Sequence, residues 1–270
     1  MALDLTAYVA LYAGFGYLLY RFVGLYGIFI AVVPLVLLSS SEQLVLRATR
    51  ACEGDRKTSG ALQATVERLC GLADLPVAKV AVADSDAPNA FVVGLTPARA
   101  TVVVTRGLLE RLEPGELEAV LGHEISHVAN RDALVMTATS SFSVIGAWLR
   151  QPANFPEWIF WPLFAPFYVA GLSVTRALSR YREFIADRGS ALLTGAPEQL
   201  MSALQKISRE LALIPSTDLR DTGANALFIV PLPSRLRQLP GLADHPPLER
   251  RLARLANIAR EMGKPVPPWA

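Results

Sequence analysis

The chain has 270 residues, enough for one large domain or two modest ones, and 52% of them are apolar, which favours a membrane protein over an ordinary soluble one. Its 26 basic and 24 acidic side chains nearly cancel, so no overall field exists to hold a polyanion, and nucleic acid is not an expected partner. Cys52 and Cys70 show no CxxC spacing and read as reduced structural thiols, while His123, His127 and His245 are the only histidines.

In residues 5–38 the sole charge is Arg21. One straight helix of about 34 residues would reach about 50 Å, against a hydrocarbon core of about 30 Å. Two short spans turning near Arg21 and Gly24 fit better, so a membrane hairpin is expected over residues 1–40. A cleavable signal peptide is the competing reading, but it lacks a basic leading segment and its apolar run is too long. Residues 41–75 form a charged helical stretch. Residues 77–83, 90–93 and 100–105 are β-branched runs split by turn-rich 84–89 and 94–97, which predicts a small sheet. Pro114 then opens a helix carrying Leu117, Val120 and Leu121 on one face through about Asn130, and residues 41–132 make the first part of a core.

Two uncharged runs follow, 133–149 and 158–174, with Pro152 and Pro156 in the connector between them. Each is about 17 residues, the lower limit for a span, and Trp148, Trp158 and Trp161 resemble an interfacial belt. A second membrane hairpin is expected over 133–175. Its hydroxyl-rich first run, and the kinks expected at Pro162 and Pro166, leave a buried soluble hairpin as the alternative. Polar helices around 179–193 and 197–213, a Pro-rich stretch and a helix near 247–262 complete the second part of the core, 176–270.

The chemistry lies in His123-Glu124-Ile125-Ser126-His127, an HExxH pattern on a predicted helix. Imidazoles at i and i+4 project from one face and can share one tetrahedral zinc ion, while Glu124 can take a proton from an attacking water. Catalytic zinc usually has three protein ligands. The best candidate for the third is Glu183, with Asp187 on the same helical face to accept the far N–H of a ligand histidine.

Taken with these residues, the sequence resembles the HtpX-like membrane zinc metalloproteases, relatives of the CAAX-processing and mitochondrial inner-membrane stress proteases. The resemblance rests on the blocks HEISHVANRD at 123–132, SRYREFIAD at 179–187, NAF at 89–91 and HPPLERR at 245–251. It implies a gluzincin-type site with one zinc ion on His123, His127 and Glu183, and with Glu124 as the base. It also implies that Asn89, Ala90 and Phe91 border the substrate cleft, although Asn89 also reads as an ordinary turn residue. His245 reads either as a donor to the tetrahedral oxyanion or as a cap on the last helix. Arg131 departs from the pattern, which more often has glycine there.

His127 and Glu183 must meet although both apolar runs lie between them, so the chain crosses the membrane an even number of times there. Arg47, Arg50, Arg56 and Lys57 put the catalytic portion on the cytoplasmic side by the positive-inside rule. The expected protein is therefore α+β and predominantly helical, an integral protein of the bacterial inner membrane with a gluzincin-like core and a small sheet. Its expected partners are the lipid bilayer and unfolded or membrane protein substrates in a quality-control and stress role. A processing protease for lipidated or signal-bearing peptides and an inactive client-binding scaffold are the alternatives.

Overall fold

The computed structural model of the chain describes residues 56–133, 135, 157–213 and 246–269, together with helical Ala13, Gly14 and Tyr17. The rest of the expected 1–40 hairpin lies outside the described residues, as do Cys52, nearly all of 134–156, and His245. Two compact units divide the chain, Met1–Ser41 with Thr137–Leu172 and Glu42–Met136 with Ser173–Ala270. Among the described residues no helix is long and apolar enough to cross a membrane.

The second unit is mostly helical with a small mixed sheet. Helix α1 (Arg56–Leu72) turns Leu62, Val66, Leu69 and Cys70 inward, the spacing of a helix with one apolar face. Strands β1 (Lys79–Ala83), β2 (Ala90–Val93) and β3 (Thr101–Thr105) follow, in the order β1-β3-β2, with β1 parallel and β2 antiparallel to β3. Central β3 is buried at every position of its TVVVT run. Alternation sends Val80, Ala90, Val102 and Val104 to the main core with α1, while Ala81, Ala83, Phe91, Val93 and Val103 form a separate cluster. The β2–β3 connection passes Gly94 at φ 117°, where a Cβ would meet the Arg99 carbonyl oxygen at 2.4 Å, so only glycine fits.

Thr105 closes β3 and caps α2 (Arg106–Arg111), its hydroxyl accepting from the Leu108 N–H at 3.3 Å. Helix α3 (Pro114–Ala129) starts on proline, and Glu116 in its first turn suits the positive helix end. The Glu116 carboxylate accepts from the Glu113 N–H at 2.9 Å, from Ser202 Oγ at 2.6 Å and from Lys206 Nζ at 2.7 Å, which ties α3 to α5 (Pro197–Leu213). Helix α4 (Glu157–Thr194) is continuous through Pro162 and Pro166, where the sequence suggested two separate elements meeting near 175–178. The Thr-Arg-Ala-Leu at that junction contains no helix breaker. Gly195, at φ 68°, ends α4, and Pro197 opens α5. Helix α6 (Leu248–Glu261) packs on α5 and buries Arg251 together with Leu252, Leu255, Ala256 and Ala259.

Candidate metal centre

Small residues let α3 and α4 approach closely. A Cβ on Gly189 would lie 2.3 Å from Ser126 Oγ, and one on Gly122 would lie 3.1 Å from Thr194 Cγ2. Ser190 Oγ donates to the Ala119 carbonyl across the crossing at 2.6 Å. One turn away on each helix this crossing faces His123 and His127 of α3 toward Glu183 and Asp187 of α4. All four, with Glu124, sit on the core side, and His127 is the most exposed at 17%.

Each imidazole turns its Nδ1 toward a carboxylate. His123 Nδ1 is 3.1 Å from Asp187 Oδ1, and His127 Nδ1 is 2.5 Å from Asp132 Oδ2. An ionised carboxylate only accepts, so Nδ1 carries a proton in both rings and Nε2 is the nitrogen left for a metal ion. The two Nε2 atoms are 3.1 Å apart, and each is 3.6 Å from an oxygen of Glu183. Three potential metal-ligand atoms therefore face one another.

Arginines support the two carboxylates. Arg251, buried to 1%, donates to Asp187 through Nε at 2.9 Å and Nη2 at 2.6 Å, and its Nη1 lies 3.2 Å from Glu183 Oε2. Arg182 Nε lies 2.7 Å from Asp132 Oδ1. Burial works to raise the pKa of Asp187, but Arg251 and His123 outweigh it and hold the carboxyl below its ordinary range. Asp132 is likewise held low, by His127 and Arg182 against its burial. Burial lowers the proton affinity of His123, yet the neighbouring carboxylates of Asp187 and Glu183 push its pKa up to about 9. Glu124 is raised, chiefly by burial, with the imidazoles opposing.

This donor set fits a divalent metal ion. Ligand atoms of His123, His127 and Glu183 all lie within 4.8 Å of one another. Around a tetrahedral zinc with bonds of about 2.0–2.1 Å, ligand atoms stand about 3.3–3.4 Å apart, between the observed 3.1 and 3.6 Å. Four carboxylates (Glu124, Asp132, Glu183, Asp187) against two guanidiniums (Arg182, Arg251) leave two negative charges when all are ionised, matched by a dication.

His123, Glu124, His127, Glu183 and Asp187, all named from sequence, come together, while Ala90 and Phe91 lie on the neighbouring strand β2, which packs against α3, and Asn89 immediately precedes that strand. The side chains of Asn89, Ala90 and Phe91 are buried. Sequence reasoning gave no role to Asp132, Arg182 or Arg251. Arg251 had a legible signal, since it falls on the Leu248, Leu252, Leu255 stripe, where a charge needs a buried partner.

A His-His-Glu cluster on two crossing helices, with a further buried glutamate beside it, is the arrangement of a metallopeptidase. The model of peptidase family M48 matches residues 56–259, and the chain belongs to that family. Over 253 residues it is 44% identical to a protease HtpX homolog of Moorella thermoacetica, covering 87% of this chain and 84% of the relative. A protease HtpX homolog 1 of Streptomyces coelicolor is 38% identical, with 96% and 91% covered. The fold is similar to that in a crystal structure of S. mikatae Ste24p at a TM-score of 0.59 and 18% identity, covering 93% of this chain and 64% of that longer one.

Proposed function

We propose that this chain is a zinc-dependent endopeptidase of the membrane that cleaves damaged or misfolded membrane proteins, with one zinc ion on His123, His127 and Glu183. The observation that supports this most is the convergence of two imidazole lone pairs and a carboxylate, each imidazole backed by its own aspartate. Zinc suits a nitrogen and oxygen donor set of this kind, and when bound it supplies Lewis acidity toward a water and the scissile carbonyl. Glu124 takes the proton of the attacking water and passes it to the leaving amine. Its burial-raised proton affinity suits a group that must both accept and return a proton.

Substrate alignment is assigned to β2. The strand pairs only with β3 among the described residues, and the Thr105 N–H donates to the Asn89 carbonyl at 2.9 Å. By antiparallel alternation Ala90 and Val92 then turn their main-chain groups to the outer edge, where an extended peptide can add. Asn89, Ala90 and Phe91 thus act through the backbone they shape rather than through their buried side chains. The role of His245 as an oxyanion donor rests on the sequence resemblance.

The membrane setting rests on the uncharged runs and on the resemblance read from the sequence blocks. Residues 1–40 and 133–175 are proposed as hairpins in the bacterial inner membrane, with 41–132 and 176–270 as the catalytic portion on its cytoplasmic face. The test compares zinc content and proteolysis of the purified full chain with those of Glu183→Ala. Wild type should hold one zinc per chain and cleave an unfolded membrane protein, and the variant should lose both. Equal zinc in the two would remove Glu183 as a ligand. Cleavage confined to a prenylated peptide would redirect the reading to a processing protease.

A further inference from the structure

The two imidazoles of the centre are not equally secured. His123 is 1% exposed and held by Asp187, which Arg251 grips through two nitrogens. His127 is 17% exposed and lies in the last turn of α3. What holds it comes from beyond the helix end: Asp132, past the left-handed Arg131, is nonetheless 3% exposed. One Asp132 oxygen is 2.5 Å from His127 Nδ1, and the other is 2.7 Å from Arg182 Nε.

Arg182 immediately precedes Glu183. Successive helical side chains diverge by about 100°, so α4 reaches His127 from two sides. Glu183 faces its Nε2 at 3.6 Å, and Arg182 engages the carboxylate behind its Nδ1. A nearly buried aspartate–arginine pair costs desolvation that its mutual attraction seldom repays in stability, so structure alone is a weak reason for it. Resting on the proposed zinc site, we infer that Asp132 and Arg182 are a positioning pair that fixes the tautomer and angle of His127 and makes metal capture depend on α4 being docked. With the pair intact the Nε2 lone pair faces His123 and Glu183. Without it, the more exposed ligand can turn or carry its proton on Nε2, where the metal would bind.

The experiment measures zinc affinity of the full chain by chelator competition and the visible spectrum of the cobalt(II)-substituted protein, with circular dichroism reporting folding. Asp132→Asn should lower zinc affinity about 10 to 100-fold and alter the cobalt spectrum. Arg182→Gln should do so to a smaller degree, Arg182→Lys should recover most of that loss, and the Asp132→Asn/Arg182→Gln double variant should lose little beyond Asp132→Asn alone. A merely structural pair would shift unfolding but leave the cobalt spectrum of the folded fraction as in wild type. Wild-type affinity and spectrum in Asp132→Asn overturn the inference while the zinc reading stands. If Asp132→Asn does not fold, the same result in Arg182→Gln overturns it. Wild-type protein that takes up neither ion overturns the zinc reading and the inference together.

Discussion

A proton and a metal ion compete for the Nε2 lone pair of His123. Its pKa stands near 9 because Asp187 and Glu183 outweigh burial, so below that pH zinc must displace a proton. Zinc affinity should therefore climb about tenfold per pH unit from about 7 and level off near 9, as chelator competition would record. In the chelated protein the sign reverses. The raised pKa adds stability that is complete below the ordinary histidine value of about 6.5 and is lost as pH rises through about 9, so melting temperature should fall over that window. A zinc affinity flat between pH 6 and 9 would contradict this charge arrangement. At this scale the HExxH helix was legible from its own five residues, whereas Glu183 was singled out because that motif lacks a third ligand. Arg251 carries a signal in its place on an apolar stripe, but its partner is not readable, since Asp187 lies 64 positions away and only packing brings them together.

The crossing of α3 and α4 sets where Glu183 stands relative to the histidines. Adding a Cβ at Gly189 would drive it to 2.3 Å from Ser126 Oγ, so one helix must shift. Gly189→Ala should destabilise the protein by about 1–3 kcal/mol and lower its zinc content, and adding Ser126→Ala should recover part of both. Undisturbed melting and zinc content in Gly189→Ala would show that the crossing is not what fixes the site. The end of α3 offers a gain instead. Arg131 stands at φ 54° directly after the Asn130 cap, where glycine carries no Cβ penalty. Arg131→Gly should stabilise the protein by about 0.5–1 kcal/mol in thermal unfolding, after the entropy that glycine adds to the unfolded chain. The departure of Arg131 from the family pattern was readable in sequence, and its cost follows from the backbone. The strands were readable from their β-branched runs, whereas the unity of α4 was not, because the change from apolar to charged residues near 175 looks like a boundary although no residue there interrupts a helix.

Across the whole molecule, the open physical question is how a polar metal centre is assembled from segments separated by two uncharged runs. The proposed topology would answer it by an even number of membrane crossings. A cysteine introduced at Asn154, in the connector between the runs, should react with a membrane-impermeant maleimide in intact cells, whereas Cys52 and Cys70 should not. Cys70 is buried, so denatured protein labelled at both native cysteines is the necessary control. Labelling of Cys70 from outside in intact cells would put the catalytic portion on the other face. Uncharged length is the signal from which membrane content is proposed, and sidedness depends on a few arginines and lysines and on packing that no local pattern encodes. The account as a whole turns on one role, that of Glu124 as the proton acceptor beside a bound zinc ion. The most direct measurement is the zinc content of the purified full chain and of Glu124→Gln, by elemental mass spectrometry, with cleavage of an unfolded membrane protein followed in the same samples. Both proteins should hold one zinc per chain and only wild type should cut the substrate. Zinc-free wild-type protein, or a Glu124→Gln variant that still cleaves, would contradict it.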